Sequence, residues 1–204
     1  MLLTALQYIG LVAFAASGSL AAVRTGLDVF GVIVVGLTTA LGGGIIRDVL
    51  LGIHPPSTLH SWPYLAVCAG TALAVFVFHP QVAKVRRAVL LADALGLGVF
   101  ATAGTTIALS TGAPIYTSCL IGMTTGIGGG ALRDLLLREI PLVLRKEIYA
   151  VAALAGSVLV GIGHALRLPA GPVTVVAAAA VVAIRVLAMW RRWNAPVAKA
   201  PEHD

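Results

Sequence analysis

Apolar residues run through this chain in long unbroken stretches, and polar residues fall almost entirely between them. Seven apolar stretches stand out, at about 2–22, 28–51, 61–79, 89–109, 115–137, 147–166 and 171–190. Each has about the 20 residues that a helix needs to cross a bilayer. The breaks between them carry turn chemistry: His-Pro-Pro at 54–56, His-Pro at 79–80, Gly-Ala-Pro at 112–114 and Leu-Pro-Ala-Gly-Pro at 168–172. The pattern predicts an all-α polytopic membrane protein with seven transmembrane helices. No linker is long enough to separate soluble domains, so residues 1–192 are read as one transmembrane domain. The start MLLTALQYIG lacks a basic segment and reads as a retained first helix. The tail 193–204 is polar and proline-bearing, and is expected to be disordered.

Polar residues that do enter the apolar stretches are not random. Residues 36–48 read GLTTALGGGIIRD and residues 122–134 read GMTTGIGGGALRD, so Gly42 recurs as Gly128, 86 positions later. The same offset pairs Gly10 with Gly96, Phe14 with Phe100, Gly18 with Gly104, Gly26 with Gly112 and Gly70 with Gly156. Stretches one to three (about 1–80) therefore repeat as stretches four to six (about 87–166), and the seventh (about 171–190) is extra. Three is an odd number, so the second copy enters the bilayer from the opposite side. This is an inverted-topology repeat, which places a working site where the copies meet.

Composition agrees: the chain is 59% hydrophobic and 11% charged over 204 residues, with a mean hydropathy of +0.99. That excludes an ordinary soluble domain. The pI near 9.9 does not indicate nucleic-acid binding, because the basic residues form no stripe with interleaved aromatics. They sit at the edges of the apolar stretches. Arg24, then Lys84, Arg86 and Arg87, then Arg138, Arg145 and Lys146, then Arg191, Arg192 and Lys199 follow the odd-numbered stretches, while Arg167 follows an even one. The positive-inside rule then predicts an outer N-terminus and a cytoplasmic C-terminus.

Candidate chemistry centres on the doubled motif. Three adjacent glycines weaken a helix by about 1 kcal/mol each relative to alanine. Gly42, Gly43 and Gly44, and Gly128, Gly129 and Gly130, are therefore expected to kink or break the second and fifth helices near the midplane. Backbone groups freed there would have to line a polar cavity. Close packing on a small-residue ridge is the other reading, although the ridge spacing of Gly36, Ala40 and Gly44 does not account for Gly42 and Gly43. Arg47 with Asp48, and Arg133 with Asp134, follow each glycine run, and ionisable residues at that depth mark function unless they merely snorkel to the interface. Thr38, Thr39, Thr124 and Thr125 either line a path or bond their own helix. Asp93, whose repeat counterpart is Gln7, is read as attracting cations at the inner mouth or as an ordinary helix-start acid. Cys68 and Cys119 read as packing residues. The scattered histidines offer no metal-ligand spacing, and neither a nucleophile–base pair nor a nucleotide-binding loop is present, so no metal, cofactor or enzymatic activity is expected.

The paired GGGxxRD motifs, the three-plus-three-plus-one arrangement and the length resemble the prokaryotic branch of the trimeric intracellular cation (TRIC) channels. That resemblance implies a homotrimer in a prokaryotic plasma (inner) membrane, in which each protomer holds its own pore for monovalent cations, chiefly potassium, with sodium also able to pass. It assigns the pore to the two glycine runs with Arg47, Asp48, Arg133 and Asp134. Animal members place a basic voltage-responsive residue in the fourth helix, and stretch 89–109 has no Lys or Arg. They also bind phosphoinositide near the kinks; membrane lipid is the partner expected here. A secondary transporter of a small solute such as glycine is the alternative, because inverted repeats serve carriers as well.

Overall fold

In the computed structural model, residues 2–78, 85–145 and 147–191 are described. The tail 193–204 lies outside them, as do Lys84, Lys146, Arg192 and Lys199 of the charge pattern. The described residues form nine α-helices: α1 Leu2–Arg24, α2 Val29–Leu50, α3 Ser57–His60, α4 Trp62–Phe78, α5 Val85–Ser110, α6 Ile115–Leu136, α7 Leu142–Arg145, α8 Glu147–Ala165 and α9 Ala170–Arg191. The seven long ones coincide with the seven apolar stretches. The two short ones, α3 and α7, were not predicted; four residues are too few to leave a periodic signal.

Turn chemistry sets the ends of α1 and α5 in the same way. Gly26 (φ +74°) and Gly112 (φ +83°) stand just beyond them in the left-handed region, which glycine enters without strain. The backbone N–H groups of Gly26 and Leu27 return to Val23 and Ala22, and those of Gly112 and Ala113 return to Leu109 and Ala108. Both turns are the glycine-terminated helix end. The Asp28 carboxylate then accepts from Gly31 N at 2.8 Å and caps α2.

The molecule is apolar outside and charged within. Phe30, Tyr116, Trp62 and Trp190 are each more than 70% exposed, whereas Arg47, Asp48, Asp93, Arg133 and Asp134 are at most 4% exposed. Water would not tolerate such an arrangement, and lipid requires it. By length and composition, α1, α2, residues 87–110 of α5, residues 148–165 of α8, and α9 suffice to cross a membrane. The protein is a polytopic helical membrane protein.

Four helices make the centre: α1 packs on α5, and α2 on α6. Phe14 and Phe100 stack there with ring centroids 5.3 Å apart and planes at 21°. Around them lie Leu11, Ala15, Ala40, Leu41 and Cys68 in one cluster, and Leu97, Ala101, Ala152, Ala153 and Val181 in the next. Cys68 and Cys119 are buried free thiols, as packing residues should be.

The glycine runs correct the expectation of a broken helix. Both α2 and α6 continue as α-helix through Gly42–Gly44 and Gly128–Gly130. What the missing side chains allow is an intimate crossing. A Cβ on Gly43 would collide with the Thr125 carbonyl oxygen, and one on Gly129 with the Thr39 carbonyl oxygen. One on Gly42 would strike Leu132, and one on Gly128 would lie 2.9 Å from Ile46 Cδ1. Each contact recurs at the 86-residue offset, and the pairing of 42 with 132 and 46 with 128 makes the helices antiparallel. Gly42, Gly43, Gly128 and Gly129, which the ridge spacing alone left over, are therefore packing glycines too.

Candidate functional site

Because α2 and α6 are antiparallel, their C-terminal turns lie at opposite ends of the crossing. Each carries the Arg-Asp dipeptide of the doubled motif, and each dipeptide is a buried ion pair. Arg47 Nε donates to Asp48 Oδ1 at 2.7 Å, with Nη2 also 2.7 Å from that oxygen. Arg133 Nε donates to Asp134 Oδ1 at 2.8 Å, with Nη2 at 2.7 Å. The snorkel reading fails, since Arg47 is 1% exposed and Arg133 2%. Consecutive helical residues project about 100° apart, so the long guanidinium stems must bend back to reach their neighbours.

The second carboxylate oxygen holds the chain that follows. Asp48 Oδ2 accepts from Ser57 N at 2.8 Å and Ser57 Oγ at 2.6 Å, fixing the start of α3. Asp134 Oδ2 accepts from Leu142 N at 2.8 Å, fixing the start of α7. An aspartate at a helix N-terminus satisfies an orphan donor and meets the positive end of the peptide dipoles. So each motif ends by pinning a short helix across the end of its long one.

The two centres differ in their further partners. Among the described residues, Arg47 reaches Ser57 Oγ, at 3.3 Å, beyond its own aspartate. Arg133 Nη1 donates to Asp93 Oδ1 on α5 at 2.8 Å and to Ser17 Oγ on α1 at 2.6 Å. Asp93 is therefore a fully buried ion-pair partner of Arg133, whereas a helix-start acid would stand exposed; the cross-repeat contact comes from Ser17.

Of the threonines, Thr39 and Thr125 are fully buried, and Thr38 and Thr124 half-buried. Three of the hydroxyls turn back on their own helices: Thr39 to Val35 O and Thr125 to Ile121 O at 2.6 Å, and Thr124 to Leu120 O at 2.8 Å. The carbonyls of Thr39 and Thr125, not the hydroxyls, face the opposing glycines. Such close approach fits Cα–H···O contacts between helices.

A cavity opens beside each centre. One, of about 600 Å³, is lined by Arg24, Arg133, Asp134, Arg138, Glu139 and Arg145 among others. The other is a shallow, open depression lined by Pro55, Ser57, His60 and Ser61. Between them the crossing of α2 and α6, with the Phe14–Phe100 stack, fills the core.

Four residues of these centres escape the motif. Ser17 and Ser57 carry no signal among many small polar residues, and Tyr149 reads as an ordinary interfacial aromatic. Arg185 was legible: it is an arginine inside the apolar stretch 171–190, and the depth criterion applied to Arg47 applies equally to it. It is 3% exposed, with Cζ 4.7 Å from the Tyr149 ring centroid. Among the described residues, no group of three or more His, Cys, Asp or Glu is placed to hold a metal ion.

Known proteins share this architecture. A family model described as "Glycine transporter" matches residues 4–80 and again 90–165, two segments whose starts lie 86 positions apart. The UPF0126 membrane protein of Deinococcus radiodurans is 44% identical over 154 residues, spanning 74% of this chain and 72% of its own. Among solved structures, one described under conductance through TRIC cation channels superposes with a TM-score of 0.89 at 40% identity, covering 98% of both chains. The trimeric intracellular cation channel orthologue from Rhodobacter sphaeroides superposes with a TM-score of 0.90 at 34% identity, covering 94% of this chain and 98% of that one. With the doubled motif, the antiparallel glycine crossing and these matches together, the chain belongs to the prokaryotic TRIC channel family.

Proposed function

We propose that this protein is a monovalent cation channel, selective for potassium over anions, with one path per protomer running between the inverted repeats. The observation that carries this reading is the placement of two buried Arg-Asp centres at opposite ends of one antiparallel helix pair, each beside its own cavity. A path joining the cavities would pass the α2–α6 crossing, where Gly43 and Gly129 lie against the backbone of the opposing helix. Asp48 and Asp134 tie α3 and α7 across its ends. Conduction then requires the crossing to loosen, and bending at Gly42–Gly44 and Gly128–Gly130 is the least costly route because glycine resists bending least. Arg47, Asp48, Arg133, Asp134 and Asp93 set the charge at the two mouths, and assembly as a homotrimer follows the solved relative described as trimeric.

Purified protein in planar bilayers tests this reading. Discrete unitary cation currents are expected, with a reversal potential near that of potassium under a potassium chloride gradient. Glycine counterflow without unitary currents would replace the channel with a carrier, the activity named by the family model's description.

The seven-span topology has its own check. With cytoplasmic Lys and Arg, reporter fusions after residue 204 and within the 52–60 loop are expected to give opposite signals. Equal signals at both positions would refute an outer N-terminus with seven spans.

A further inference from the structure

The repeat symmetry makes one asymmetry informative. The first centre holds one base and one acid, Arg47 and Asp48. The second holds one base, Arg133, against two acids, Asp134 and Asp93, all buried. The repeat position equivalent to Asp93 is Gln7, which carries no charge. A net buried negative charge in a membrane helix bundle is costly unless something compensates it.

Arg185 stands where that compensation is needed. It belongs to α9, the helix with no repeat counterpart, which packs on α5 and α8. Its guanidinium lies over the ring of Tyr149, in the first turn of α8. The Tyr149 hydroxyl and Asp93 converge on the bare face of Gly130: a Cβ there would lie 2.7 Å from Tyr149 Oη and 3.1 Å from Asp93 Oδ1. Asp93 Oδ2 and Arg185 Nε are buried without a hydrogen-bond partner, and the Tyr149 hydroxyl has the Asp93 carboxylate as its nearest polar neighbour. Tyr149 thus links the Asp93 carboxylate on one side to the Arg185 guanidinium on the other.

We propose that Arg185 is a positioning residue for conduction, balancing the charge of Asp93 through Tyr149 so that the second buried centre carries the same net charge as the first. The extra helix supplies the extra base for the repeat's extra acid. This rests on the channel reading for its effect on current, but not for its effect on stability, and the two are measured separately.

The test is a cycle of Asp93→Asn, Arg185→Met and the double variant, with Arg185→Lys alongside. Thermal melting of the purified proteins reads the charge balance whether or not ions pass. Each single change is expected to lower the melting temperature, and the double variant to recover at least half of the summed loss, since buried partners couple rather than add. If Arg185→Met alone does not fold, Asp93→Asn in the same chain is expected to restore folding. Unitary currents read the functional part. In about 50 mM potassium chloride, where screening is weak, Arg185→Met is expected to raise the cation current by about two- to threefold, by removing one positive charge from behind a mouth that Arg24, Arg138 and Arg145 already make basic. The gain should vanish at about 1 M salt, fall back toward wild type in the double variant, and reach less than half that size in Arg185→Lys. Additive melting losses, or an Arg185→Met protein that Asp93→Asn fails to rescue, would overturn the charge balance and leave Arg185 as packing over Tyr149. Coupled melting losses with a low-salt current unchanged from wild type would overturn its role in conduction. A wild-type protein that passes no current refutes the channel reading, while the melting cycle still decides the charge balance.

Discussion

Gly43→Leu and Gly129→Leu are expected to abolish cation flux and to lower stability more than any other single substitution in the bundle. At each position the first added carbon meets a backbone carbonyl of the opposing helix, Thr125 O or Thr39 O. A flexible side chain could swing aside, but a carbonyl fixed in a helix cannot, so α2 and α6 must separate along the crossing. Even alanine should cost about 3 kcal/mol, the upper end for overpacking, and leucine more. Gly70→Leu is the control: that glycine is exposed on α4 and a Cβ there meets nothing within 4 Å. Gly18 would not serve, because a Cβ there would lie 2.8 Å from Val35 O. Thermal melting in detergent and potassium flux into liposomes check both effects. Flux at the wild-type level through folded Gly43→Leu and Gly129→Leu proteins would show that the crossing lies off the ion path.

The fold was legible because the bilayer imposes a coarse code. Seven apolar stretches became seven long helices, and the 86-residue offset found in letters reappears in contacts: Gly43 with Thr125 mirrors Gly129 with Thr39. The glycine runs stood out in the sequence, but the helix contact they make did not. Composition says that a Gly-Gly-Gly run weakens a helix, yet a partner helix pressed against that run restores what the run gives up, and the partner's identity depends on tertiary placement. The hydroxyls of Thr39 and Thr125 show the same limit, since their sequence position does not reveal whether they face a cavity or their own carbonyls. Arg185 is a different case. Its charge at depth was visible, but its meaning required knowing that α9 returns beside α8, which no spacing along the chain records.

Asp48→Asn is expected to destabilise the protein more than Asp134→Asn, although the two residues occupy equivalent places in the repeat. Removing one partner of a buried ion pair costs about 3–5 kcal/mol when the other charge is left uncompensated. Arg47 faces that situation, because among the described residues Asp48 is its one acidic partner and Ser57 Oγ, at 3.3 Å, offers only a hydroxyl. Arg133 does not, since Asp93 Oδ1 remains at 2.8 Å and Ser17 Oγ at 2.6 Å. Asparagine can still accept from Leu142 N through its amide oxygen, so Asp134→Asn should cost about 1–3 kcal/mol, the scale of weakening one buried hydrogen-bonded contact. Both substitutions leave one more positive charge beside a mouth, so the cation current should fall in each, and more steeply at low ionic strength. Paired thermal melts and reversal potentials under a potassium chloride gradient separate the two effects. Equal melting losses for Asp48→Asn and Asp134→Asn would show that Asp93 does not sustain Arg133, and unchanged currents in both would remove these acids from the conduction path.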